Sequence, residues 1–224
     1  RKVESDTDFP DDDFHSSEGA IVARRFKLEE MRTDQIAFYQ ACRDSGFPDS
    51  ADHNAPDASG VGPTPLNNPN GIRFSTALGY LNPSRHRLNL TIRPNCTTRK
   101  IVFDGTKAIG VEVESGGESF VVEGNEIILS SGAIGSPHLM LLSGVGPAGH
   151  LQDMGIPVVK DLPGIGQNLR DHPVVFVTWS TKADHPLDGY APRLQTNLRW
   201  TAEGSDLRND LLIFMISYAT DRAY

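Results

Sequence analysis

The segment 132–146, GAIGSPHLMLLSGVG, holds the densest set of residues suited to binding chemistry. It follows a short apolar run, residues 125–129, of the length expected for a buried strand. Ser130, Ser131 and Gly132 end that run in small residues, which let another group approach the backbone closely. Ser136 reads as an N-cap and Pro137 as the first helical residue, where a missing N–H costs nothing. Residues 139–142 give one or two apolar turns, and Gly144 stops them. Strand, small-residue turn and helix N-terminus together present backbone donors to a ligand in α/β folds. An ordinary buried strand-to-helix connection carries the same local pattern, and the residues alone leave both readings open.

Other suggestive groups are weaker. Gly144-Val145-Gly146-Pro147-Ala148-Gly149 has the spacing of a dinucleotide loop, but a helical run precedes it and Pro147 removes a donor. Ser131 lacks the G-x-S-x-G setting of a nucleophile. None of the seven histidines sits in a zinc or metalloprotease spacing. His172 is expected to make a structural hydrogen bond to a neighbouring loop. Asp11, Asp12 and Asp13 read as a solvated run, and residues 52–54 lack the Gly and Glu of a calcium loop. Cys42 and Cys96 read as buried or idle thiols. The residues therefore assign no metal site and no catalytic group.

The elements that must position these groups follow from periodicity. Residues 1–27 are acidic and irregular. Residues 33–45 fit an amphipathic helix capped by Thr33 and closed by Gly46. A long Pro/Gly/Asn/Asp loop fills 47–70, and 75–81 reads as a short helix. Strand-like runs cover 90–92, 97–103, 108–114 and 120–123, with Asp104-Gly105 and Gly116-Gly117 as hairpin turns. This meander leads into a buried strand at 126–129. A helix at 147–155, a strand at 156–159 and a turn at 162–166 come next. Strands at 174–180 and 211–218 flank a helical 193–201.

The chain has 224 residues with a net charge of −8. It is large enough for a real core and a poor match for nucleic acid or anionic membrane. No apolar stretch reaches the ~20 residues of a membrane span. The reading favours a soluble, cytoplasmic protein, with the compartment otherwise unassigned.

Segment 132–146 resembles the second signature of the glucose-methanol-choline (GMC) oxidoreductases. Further steps occur in order: residues 15–20, where Ser16 departs from the family's His-Gly; Gly71-Ile72-Arg73-Phe74-Ser75 with Tyr80-Leu81; Arg87-Leu88-Asn89-Leu90; Gly110-Val111-Glu112; and 162–172. The resemblance implies a mixed α/β (α+β) fold. It would comprise a partial FAD-binding domain with a three-stranded β-meander, plus part of an antiparallel substrate-domain sheet. Residues 1–88 would form a loop-rich cap and substrate-side segment, 89–172 the FAD-domain part, and 173–224 the start of the substrate sheet. It implies FAD contacts at the backbone of Thr98, for the adenine, and at Ser131 and Gly132. The family's dinucleotide motif is expected upstream of Arg1 and its catalytic His beyond Tyr224. Residues 1–224 alone are therefore expected neither to hold FAD tightly nor to turn over substrate. In the intact protein the resemblance implies a small-molecule alcohol as substrate, with a His base taking the hydroxyl proton and hydride passing to the flavin. A redox-silent lyase of the same family, or a non-catalytic module keeping part of the scaffold, are the alternatives.

Overall fold

In residues 97–123 β-branched side chains interleave with charged ones between two glycine-bearing turns, so the chain folds back on itself twice. The computed structural model describes residues 3–187 and 192–218. Its strands are β1 (Glu4–Asp6), β2 (Ile21–Ala23), β3 (Gly60–Pro63), β4 (Thr97–Asp104), β5 (Lys107–Ser115), β6 (Glu118–Glu123), β7 (Val145–Gly146), β8 (Lys160–Asp161), β9 (Leu194–Trp200) and β10 (Leu211–Ile216). Three helices matter here: α1 (Thr33–Asp44), α2 (Gly132–Leu142) and α3 (Ala148–Asp153). Two compact units result, Arg1–Leu90 with Val177–Tyr224, and Thr91–Phe176. Among the described residues no helix is long and apolar enough to cross a membrane.

The second unit is built on the antiparallel meander β4-β5-β6. Gly116 and Gly117, with φ of 61° and 84°, both take the left-handed conformation that a two-residue hairpin turn requires. Ile101 and Val113 are buried on the meander, and Leu139 is the buried residue of α2. Ser143 ties the two together. Its Oγ accepts from the Ile101 N–H at 2.8 Å and donates to the Leu139 carbonyl at 2.6 Å.

The first unit holds the sheet β10-β9-β3 and the parallel pair β1-β2. Cys42 of α1, Val61 and Leu198 form its apolar core, with Phe38, Tyr39, Phe47 and Trp200 against it. Gln35 on α1 is fully buried too. Its amide donates to Met215 O (3.0 Å) and Ser217 Oγ (2.8 Å) and accepts from the N–H and Oγ of Thr196 (3.1 and 3.0 Å).

Several expectations are corrected. The helical reading of 193–201 fails: these residues form β9, because ladders to β3 on one side and β10 on the other override local propensity. The loop 47–70 conceals β3, and residues 1–27 conceal β1 and β2. Residues 126–129 form no strand and Ile128 is 78% exposed; no neighbouring strand lies beside them among the described residues. Residues 90–92 and 174–180 pair with no strand among the described residues, and the strand expected at 156–159 lies instead at Lys160–Asp161. Helix α1 starts at Thr33 itself, with Arg32 as the cap residue, and α2 starts at Gly132, placing Ser136 and Pro137 inside it. The 75–81 helix is a π-type turn at Ala77–Leu81. Strand β10 ends at Ile216, and residues 219–224 and 188–191 of the expected 173–224 segment lie outside the described residues.

Candidate functional site

Helix α2 opens on a bare corner. Residues 130–134 are all exposed, Gly132 sits at φ +82°, and a Cβ built there would meet nothing within 4 Å. Ser136 reaches back, its Oγ accepting from the Ser131 N–H at 3.0 Å. The Ser136 side chain thus closes the first turn across its cap residue. The N–H groups of that turn have no intrahelical acceptor and carry the positive end of the helix dipole. Small side chains, the unpaired donors that begin at Gly132 and open space together let a ligand approach the main chain closely.

Thr98 lies in the same unit, exposed on β4, which is an edge strand of its sheet. It pairs with Val113, and the register shifts between Thr98 and Lys100. The residue left out of the ladder is Arg99, next to Thr98, and the outer side of an edge strand leaves main-chain groups open to a ligand. Helix α2 packs on this same strand through the Ser143–Ile101 bond.

The loop at 144–149 is closed to a pyrophosphate. A Cβ on Gly144 would lie 2.3 Å from Pro157 O, and one on Gly146 would lie 2.4 Å from Leu141 Cδ2. The Ala148 N–H is already taken by Asp161 Oδ1 at 3.0 Å. Gly144 and Gly146 serve close packing of the chain on itself, while Gly149 faces open space.

His172 corrects a further expectation. Its side chain is 98% exposed, and among the described residues its one carboxylate partner is its neighbour Asp171. The histidines that structure buries are His15 and His53. Burial, then the charge of Arg199, lower the pKa of His53. His15 belongs to a cluster that the residue pattern did not reveal. Arg25 Nη1 donates to both oxygens of Asp6 (3.0 and 2.8 Å), and its Nη2 donates to Asp52. His15 Nδ1 lies 3.0 Å from Glu4 Oε1 and Nε2 lies 2.9 Å from Asp52 Oδ2. Burial works against the charge of Asp6 and Asp52, yet hydrogen bonds and the Arg25 guanidinium prevail and hold both carboxyls below the usual range. Ligand atoms of Glu4, Asp6 and His15 fall within 4.8 Å of one another, a metal-like spacing. Arg25 already supplies the cation there, so the cluster is an ion-pair network. Only the resemblance around residues 15–20 had drawn attention to His15; positions 4, 6, 25 and 52 share no spacing that periodicity detects.

Comparison with known proteins bears on these surfaces. The sequence model of the GMC oxidoreductase family matches residues 6–174. An uncharacterised GMC-type oxidoreductase of Rhodococcus erythropolis is 39% identical over 198 residues, covering 88% of this chain and 40% of that protein. An oxygen-dependent choline dehydrogenase of Photobacterium profundum is 38% identical over 171 residues, covering 76% of this chain and 30% of that protein. Among solved structures, an FAD-dependent oxidoreductase from Chaetomium thermophilum superposes with a TM-score of 0.69 at 28% identity, covering 76% of this chain and 32% of that one. The chain thus spans well under half the length of the relatives it matches.

Proposed function

Because the chain belongs to the GMC oxidoreductases, whose cofactor is FAD, we propose that it carries part of the flavin-binding surface of an enzyme oxidising CH–OH groups of small alcohols. Within it, residues 89–172 face the cofactor, and 1–88 with 173–224 belong to the substrate side. The observation that carries this reading is the open corner at Gly132: a left-handed glycine, preceded by two exposed serines, at the donor-rich start of α2. Gly132 holds the nucleotide or flavin by its main-chain donor beside the small Ser131, whose own N–H is taken by Ser136, and the edge-strand backbone at Thr98, next to the bulge, holds the adenine. Bound FAD supplies the two-electron acceptor that no side chain can provide. The chain's own residues bind and orient it. A choline-type alcohol is the favoured substrate class, since a choline dehydrogenase is among the relatives.

Residues 1–224 by themselves are an incomplete site. Their single G-x-G-x-x-G run packs against its own chain at Gly144 and Gly146. A fluorescence titration of FAD with this protein tests the reading. Weak, saturable quenching that ADP competes away is expected, with Gly132→Val weakening it about tenfold or more, roughly 1.4 kcal/mol. Absence of saturable quenching, or equal affinity in the variant, overturns the site assignment. Stoichiometric flavin after purification, or dye reduction with choline, overturns the claim that the site is incomplete.

A further inference from the structure

The cluster around His15 reads most simply through the valence of the imidazole ring. His15 is 4% exposed, and both its nitrogens face carboxylates. Nδ1 lies 3.0 Å from Glu4 and 3.2 Å from Asp6, both on β1, while Nε2 lies 2.9 Å from Asp52 on a segment distant in sequence. A neutral ring has one N–H, so its other nitrogen would turn a lone pair towards a carboxylate oxygen at hydrogen-bond distance. In a buried setting that contact is repulsive and poorly screened. Only the doubly protonated ring satisfies both sides. Arg25 bridges the same two segments, through Asp6 and Asp52, and Asp8 stands 3.7 Å from it. The Phe9 ring stacks on His15 with centroids 5.7 Å apart, and the Arg25 guanidinium lies over that ring, 4.7 Å from its centroid. Four carboxylates thus face two cations. Removing the His15 proton leaves Arg25 as the single positive charge of the set.

We propose that His15 is a protonated clasp, joining β1 and the 9–18 loop to the Asp52 segment, and that losing its proton unlatches the two and makes this packing sensitive to pH. The surroundings support it independently of the flavin reading. Burial opposes the charge, but hydrogen bonds to Asp52 and Glu4 and the charges of Asp52 and Asp6 outweigh it, and the imidazole pKa rises above its ordinary value. The folded protein therefore holds this proton more tightly than the unfolded chain. The stabilisation is complete below the unfolded value, near 6.5, and is lost as pH climbs through the higher folded one.

Imidazole ¹⁵N–¹H correlation spectra of the protein, recorded from pH 5 to 9, test the clasp. At pH 7 both His15 nitrogens are expected at protonated-ring shifts, with a midpoint above the ordinary imidazole value, and Asp52→Asn is expected to move the midpoint down. Urea unfolding should show stability falling from neutral to alkaline pH in the wild type, with that fall reduced in His15→Gln. A neutral single tautomer at pH 7 would overturn the proposal, as would an unchanged midpoint in Asp52→Asn or parallel pH curves for the wild type and His15→Gln. Should His15→Gln fail to fold, the wild-type and Asp52→Asn spectra decide the question alone.

Discussion

Two regions of this molecule solve opposite problems. The corner at 131–132 is exposed, carries no charged side chain, and is built from backbone and the absence of a Cβ. The cluster at Glu4, Asp6, His15, Arg25 and Asp52 is largely buried, and is built from charged side chains that satisfy one another. The difference teaches where to look for ligand and where for stability. Donors left free at a helix start invite something from outside. Charges already paired inside do not, and removing one partner leaves the others stranded.

The largest effect should come from breaking the buried side of this comparison. Arg25→Met leaves the Asp6 carboxylate, whose side chain is 0% exposed, without its main partner. A loss of about 3–5 kcal/mol in urea unfolding at pH 7 is expected, as for other broken buried pairs. That loss should shrink as pH falls, because a protonated Asp6 needs no cation. A penalty independent of pH would mean that Arg25 acts by packing alone.

A smaller effect probes the scaffold that holds the open corner. Ser143→Ala removes the Oγ acceptor from the buried Ile101 N–H, which is where α2 is fastened to β4. A loss of about 1–3 kcal/mol is expected in thermal or urea unfolding. FAD affinity should weaken in step if α2 and the bulge at Thr98 act together on one ligand. A destabilised variant with unchanged affinity would separate them.

The same contrast explains what the sequence discloses. The meander is legible because β-branched residues recur between glycine turns at 105 and 116–117, a purely local signal. Helix α1 is legible for the same reason, and so is Gly144 as the stop of α2, with its φ of 82°. The family steps at 71–75, 110–112 and 132–146 point to a flavoprotein by order and spacing. What stays hidden depends on partners far along the chain. Leu194 and Leu198 mimic a helical stripe, yet β9 is fixed by strands at 60–63 and 211–216. Strand β3 reads as loop because of its glycines and proline. Gly62 is small for a packing reason, since a Cβ there would lie 1.7 Å from Ser50 O. Gln35 looks like a solvent-facing helical residue, but its amide joins α1 to β9 and to the end of β10. The charged cluster collects residues 4, 6, 15, 25 and 52, which no window of local sequence contains.

The central claim, that the small-residue start of α2 and the bulge of β4 serve one nucleotide, is tested most directly by backbone amide shifts. ADP titrated into the ¹⁵N-labelled protein should move the amides of Thr98, Ser131 and Gly132 along one common binding curve. Shifts confined to the 144–149 loop, or no saturable shift at Gly132, would contradict it.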